Sequence, residues 1–329
     1  MTLQQLPKIE LHLHLDCGLS YEVVNKINPD ITEEMYRNNF IAPEKCIDLA
    51  DFLTRAINCV NLMQTKEQLE WVVEDLFKQL AADNVLYAEM RYAPLQHLQN
   101  GLTAFDVVDI IEKATAACIQ KTGIEARIIL CTLRHYSAAE SMETVMLVEQ
   151  FKNTYVAGFD IAADEAGYPI TNHIAAFQYA KQKEIFCTAH AGEAMGAESV
   201  WETLNYFGPS RIGHGVRSYE DPKLVEHLRN NYIHLEICPS CNVQINIVDE
   251  YKNHPVDQLK KEGVSININT DCRTIVDISL NREYQKLQDV FGWTITDFYD
   301  CNVNAIKAAF ISEEVKQILL NKLAIEYHK

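Results

Sequence analysis

Positive charge is scarce in this sequence: 29 Lys and Arg stand against 46 Asp and Glu in 329 residues, for a formal net charge of −17. That balance excludes the basic footprint of a nucleic-acid-binding surface and repels an anionic membrane. Long apolar runs are also missing. None approaches the roughly 18 residues of a membrane span, and Met1-Thr2-Leu3-Gln4-Gln5 lacks the basic-then-apolar pattern of a secretion signal. No Pro/Gly/Ser-rich linker or run of like charge marks a domain boundary. Ten cysteines occur without a framework spacing, several of them (Cys131, Cys187, Cys238) inside apolar strand-like runs. Free thiols in a reducing cytoplasm are therefore expected. With 48% hydrophobic and 23% charged residues, what remains is a well-buried globular chain. It is long enough for one large α/β barrel of about 250 residues plus insertions.

Strict alternation in Ile9-Glu10-Leu11-His12-Leu13-His14-Leu15 predicts a first strand with Glu10, His12 and His14 on one face. Further apolar runs predict strands over 84–92, 126–133, 156–162, the run 184–187 leading to His190, 211–215, 233–238 and 264–271. Amphipathic stretches between them, such as 66–82, 103–121 and 222–230, predict helices. Residues from about 19 to 65 read as a polar, mostly helical insertion. Its last helix opens at Asp48 and carries Leu49, Phe52, Leu53, Ala56 and Ile57 along one side, either as core or as a lid over an apolar pocket. Two or three helices from Asp277 close the chain. Eight apolar strands alternating with helices belong in a covered parallel sheet, which predicts a single-domain (β/α)8 TIM-type barrel over 1–329. The doubly wound alternative lacks a glycine-rich phosphate loop after the first strand.

In such a barrel the carboxyl ends of the strands converge on one mouth. The first brings His12 and His14, the fifth His190 with Glu193 just beyond, the sixth His214 and the eighth Asp271. Three histidines and an aspartate suit zinc, with a place left for water. The metal would lower the pKa of that water toward about 7. Glu193 could then shuttle protons, and His214 could hold the hydroxide. The spacing Cys238-Pro239-Ser240-Cys241 is that of a structural zinc site, but no second C-x-x-C accompanies it, and buried thiols are the better reading.

Six segments together resemble one known family. They are Pro7 to Asp16, Tyr87-Ala88-Glu89-Met90-Arg91-Tyr92-Ala93-Pro94, Thr188-Ala189-His190-Ala191-Gly192-Glu193, Arg211-Ile212-Gly213-His214-Gly215, Glu236 to Val243 and Asn269-Thr270-Asp271. In order, and over nearly the whole chain, they look like the motifs of adenosine deaminases. The resemblance implies a zinc-dependent hydrolytic deamination of adenosine (or 2′-deoxyadenosine) to inosine plus ammonia. One Zn2+ per chain would be held by His12, His14, His190 and Asp271. Glu193 matches the acid that protonates purine N1, and His214 matches the group that orients the attacking hydroxide. Asp16 matches the residue on the ribose 5′-hydroxyl. The implied substrate contacts are His14, Asp16, Ala163 and Cys272, with Leu49, Phe52 and Leu53 as an apolar gate. The partner is then a small purine nucleoside, not nucleic acid or membrane; the oligomeric state stays open.

Four positions depart from the family pattern. Cys272 stands where a second aspartate usually bonds purine N7, and Arg273 follows it in place of proline. A thiol is a weak donor, so Arg273 or water is expected to compensate, or the accepted base differs: adenine, a modified adenosine or an aminofutalosine-type nucleoside. Ala163 replaces a glycine, which narrows the pocket or forbids a positive φ. Cys17 replaces a glycine beside Asp16. Two other classes fit less well. A two-metal amide or phosphoester hydrolase would need a lysine where Asp160-Ile161-Ala162 ends the fourth strand. A catalytically inactive nucleoside-binding relative would lack Glu193 or a ligand.

Overall fold

The structure is a computed structural model and describes residues 2–327. Nine short strands run parallel: β1 Lys8–His14, β2 Val85–Tyr92, β3 Glu125–Leu133, β4 Val156–Ala162, β5 Phe186–Cys187, β6 His190–Ala191, β7 Arg211–His214, β8 His234–Ile237 and β9 Ile266–Ile268. They pair in sequence order as a five-stranded sheet (β1 to β5) and a four-stranded sheet (β6 to β9). A parallel bridge between Leu13 and Asp271 links the last strand back to the first. There, His14 N donates to Asp271 O at 2.9 Å, and Asp271 N donates to His12 O at 3.0 Å. Helices follow the strands, and the arrangement is that of a (β/α)8 barrel.

The expected fifth strand is present in two halves. β5 pairs with β4 and β6 with β7, while Thr188 N still donates to Phe159 O and Gly213 N to Ala189 O across the gap. Strands in a barrel tilt and stagger, so a short segment meets its two neighbours at different heights. The eighth run is also shorter than expected, because the chain leaves the ladder at Asn269. Side chains take over: Leu11 N and His12 N donate to Asn269 Oδ1 at 2.8 and 3.1 Å, and Thr270 N donates to Glu10 Oε1 at 3.0 Å.

Outward-facing Leu13, Met90, Leu130, Phe159, Ile212 and Leu235 pack against helix residues such as Leu69, Val73, Ile111 and Val200. Barrel interiors are normally filled by branched apolar side chains. Here Glu10, Glu89, Arg91, Asp160, Arg211 and Glu236 all point inward and are fully buried. Burying a charge costs several kcal/mol unless it is paired, and these are paired: Arg91 with Asp160 and Glu236 at 2.7 Å each, and Arg211 with Glu89 at 2.6 Å and Glu236 at 2.8 Å.

The insertion after β1 forms four short helices, Tyr21–Ile27, Glu33–Asn39, Leu49–Leu53 and Ala56–Asn61. Ser20, Thr32 and Asp48 cap the first three with side-chain oxygens. The helix expected from Asp48 is interrupted at Thr54-Arg55 and continues as a second short helix from Ala56.

Candidate active site

The strand ends bring the expected donors together. One ligand atom from each of His12, His14, His190 and Asp271 lies within 4.8 Å of the others. Nε2 of His14 and Nε2 of His190 stand 3.3 Å apart, and Asp271 Oδ1 is 3.4 Å from Nε2 of both His12 and His14. His12 Nε2 is buried and has no hydrogen-bond partner. A lone pair aimed into a nest of two more imidazoles and a carboxylate fits a cation of zinc's donor preference. The thiols of Cys238 and Cys241 also come close to Asp271. Burial holds both well above 9, and a protonated thiol is a poor ligand.

Carboxylates behind the ligands set their orientation. His12 Nδ1 is 2.8 Å from Glu236 Oε2, and His190 Nδ1 is 3.2 Å from Asp160 Oδ1. Such contacts select the tautomer that points Nε2 at the centre. Burial pushes His190 down to about 4, so its ring is neutral at neutral pH.

His214 is fixed by a longer chain. The backbone N–H of Val256 donates to His254 Nδ1 at 3.1 Å. A backbone N–H can only donate, so the neutral His254 carries its proton on Nε2 and gives it to Asn242 Oδ1 at 3.2 Å. Asn242 Nδ2 in turn donates to His214 Nδ1 at 3.1 Å. His214 is held well below 6.5, first by burial, and its single proton therefore sits on Nε2, facing the cavity. That Nε2 is 3.4 Å from Glu193 Oε1 and 3.9 Å from Asp271 Oδ2. Burial, then the charges of Asp271 and Glu165, push the Glu193 carboxyl well above 4.5. This environment favours the protonated carboxyl, the form that can act as an acid.

These groups line the floor of a cavity of about 280 Å³, near the lower end of small-molecule sites at roughly 300–1,000 Å³. Phe52, Leu53, Ala56, Ile57 and Val60 form its apolar side, and His14, Asp16, Cys17, Gln96, His135, Asp164 and Cys272 are among its other walls. Among the described residues lining it there is no Lys or Arg. Asp16 is anchored by Ala93 N, which donates to its Oδ2 at 3.1 Å.

Three expectations change. Leu49 does not line the cavity; one turn before Phe52 and Leu53 on the same helix, it lies in a buried cluster with Ala42, Cys46 and Ile245. Arg273 cannot help at the base edge, because it is buried behind the wall, 2.6 Å from Glu10 Oε2 and 2.8 Å from Asp83 Oδ2. Ala163 does adopt a positive φ of 80°, as do the cavity residues His214 at 59° and Asp271 at 62°. Each such non-glycine residue stores about 1–3 kcal/mol of strain, concentrated where side chains must turn off strand ends into the mouth. Cys272, meanwhile, has an unexpected neighbour. It shares a buried cluster and the cavity wall with Cys17, and its Sγ donates to Asp271 Oδ1 at 3.7 Å, so two departures 255 residues apart form one sulfur wall.

Sequence reasoning did not single out Asp160, Glu236, Asn242 or His254 as supports of the site. Their signal was present in part, since a lone carboxylate in Val-Ala-Gly-Phe-Asp-Ile-Ala or His-Leu-Glu-Ile is out of place unless it is paired.

Fold and site together define a hydrolase of the parallel α/β-barrel class, with its chemistry at the carboxyl ends of the strands. Residues 7–326 match the family model described as adenosine deaminase. The adenosine deaminase of Clostridium acetobutylicum is 34% identical over 97% of this chain and 97% of its own. The chain belongs to the adenosine deaminase family, whose members are metal-dependent aminohydrolases. Solved structures share the fold. An adenine deaminase from Arthrobacter aurescens superposes with a TM-score of 0.91 at 24% identity, covering 98% of this chain and 100% of its own. An amidohydrolase solved with bound Zn gives a TM-score of 0.91 at 22% identity, covering 99% of this chain and 92% of its own.

Proposed function

We propose that this chain is a single-domain, zinc-dependent enzyme that hydrolyses adenosine to inosine and ammonia. The observation that carries the reading is the Glu193 carboxyl 3.4 Å from Nε2 of His214, both over the three-histidine, one-aspartate cluster. His12, His14, His190 and Asp271 would hold the ion. When bound, zinc supplies the Lewis acidity that brings the pKa of a water toward about 7.

The chain's own groups then divide the work. Glu193 gives its proton to purine N1, which draws electrons from C6. His214 donates its Nε2–H to the attacking oxygen and fixes its approach. The oxygen adds at C6, the Glu193 carboxylate left by the first transfer carries the hydroxyl proton of the adduct to the amino nitrogen, and the C6–N bond breaks to release ammonia; ionisation of the next water returns the proton to Glu193. Removing water from the cavity by the Phe52–Val60 wall strengthens each of these polar contacts. Asp16 is placed to accept a sugar hydroxyl. A cavity with no lysine or arginine and with Asp16 and Asp164 in its walls favours an uncharged nucleoside over a 5′-phosphate. The ten free cysteines support action in a reducing compartment such as the cytoplasm.

The test is ultraviolet detection of inosine formation by zinc-loaded protein, with adenine, 2′-deoxyadenosine and adenosine 5′-phosphate as comparisons and metal content measured on the same sample. No turnover of adenosine with zinc bound would overturn the assignment.

A further inference from the structure

Glu165 touches no reacting group in the chemistry above and acts on Glu193 there only through its charge, yet its carboxylate is saturated. It follows β4, five residues beyond the Asp160 that orients the His190 ring. Oε1 accepts from Gly192 N at 2.8 Å and from Ser199 Oγ at 2.5 Å. Oε2 accepts from Glu193 N at 3.0 Å and Met195 N at 2.8 Å. The residue is 4% exposed. Its buried neighbour Arg134 lies 3.8 Å away and donates through Nη2 to His190 O at 2.9 Å. Three backbone N–H groups of one loop therefore converge on one carboxylate, and that loop carries Glu193. Gly192 sits at φ 64°, a turn that points successive N–H groups the same way.

We propose that Glu165 is the positioning residue for Glu193: it gathers the 192–195 backbone and thereby sets where the Glu193 carboxyl stands over the cavity. The proposal rests on the proton-donor role of Glu193 for its kinetic part, but not for its structural part. A carboxylate has four acceptor positions and no donor, which matches four donors. Glutamine has one oxygen, so its amide N–H groups would face one pair of donors and release that part of the loop. A displacement of about 1 Å at a reacting group costs on the order of 100-fold in rate.

The experiment compares wild type with Glu165→Gln, and with Ser199→Ala as a milder variant that removes one of the four donors. The expected result for Glu165→Gln is a kcat lowered about 100-fold, with KM and bound zinc within about twofold, and faster amide hydrogen exchange confined to the 192–195 segment. Ser199→Ala should lower kcat by less than about tenfold. In a Glu193→Gln background, Glu165→Gln should cause no further loss, because it acts through Glu193. The proposal is overturned if kcat is unchanged, if zinc content falls with it, or if the loss is equally large in the Glu193→Gln background. Exchange at 192–195 reads the clamp without any substrate, so a wrong substrate assignment and a wrong role for Glu165 give different results.

Discussion

Replacing Glu236 with glutamine keeps the shape at the floor of the barrel and removes its charge. Oε1 faces Thr188 Oγ1 at 2.9 Å and Arg211 Nε at 2.8 Å; Oε2 faces His12 Nδ1 and Arg91 Nη2, at 2.8 and 2.7 Å. Each of these neighbours presents a donor or a positive charge, and glutamine can accept through only one atom. The least costly choice turns the amide N–H groups toward Thr188, whose hydroxyl can rotate to accept, and leaves Arg211 opposed to a donor. Breaking a buried pair outright costs about 3–5 kcal/mol. Arg211 keeps Glu89 and Arg91 keeps Asp160, so the expected loss is near the lower end, about 3 kcal/mol. The His12 imidazole also loses an anionic partner, and support of this kind is worth about 10–100-fold in metal affinity. Urea unfolding of the metal-free variant measures the first term, and competition with a chelator measures the second. Glu89→Gln is the control, since it touches Arg211 but not His12 and should lower stability while leaving metal affinity alone. Apo stability within about 0.5 kcal/mol of wild type, together with unchanged metal affinity, would refute this account of the barrel floor.

Other outcomes are expected from the same geometry. Glu193→Gln should retain zinc and nucleoside binding while turnover drops by at least about 100-fold; undiminished kcat would remove its role as proton donor. Cys272→Asp should lower KM for adenosine by up to about tenfold, the worth of one good hydrogen bond donated by a protonated carboxyl to purine N7, and an unchanged KM would show that the sulfur wall does not face the base. Metal-free stability should fall as the pH drops below about 6.5. Burial holds His254 at about 3 and His234 at about 4, so the unfolded chain takes up protons there that the fold refuses. Below about pH 4.5 the loss steepens, because Asp160 and Glu236 are held low in the fold, the latter by Arg91 and Arg211 against the effect of burial. Their stabilisation is complete above the unfolded pKa near 4 and disappears as carboxylates protonate. Glu193, raised in the fold, works in the opposite sense above its unfolded value. His254→Gln should flatten the slope between about pH 7 and pH 5 in urea titrations; an identical slope would exclude His254 as a source.

The sequence by itself determined what depends on neighbours along the chain. Alternation placed Glu10, His12 and His14 on one face of β1, and the apolar runs located every strand. The ends of those runs marked His190, His214 and Asp271, because strand ends in a barrel meet at one mouth whatever the details of packing. Tertiary structure alone decided what depends on contacts between distant segments. It split the fifth strand between two neighbours, packed Leu49 against Ala42, Cys46 and Ile245 instead of the cavity, and turned Arg273 back toward Glu10 and Asp83. It also let Ala163 hold a positive φ that its side chain disfavours, joined Cys17 to Cys272, and set Glu236 behind His12 and Asn242 behind His214. Periodicity records which side of an element is buried. It carries no information about which buried group lies opposite, and a hydrogen bond or ion pair within 3 Å is settled only when the whole barrel closes.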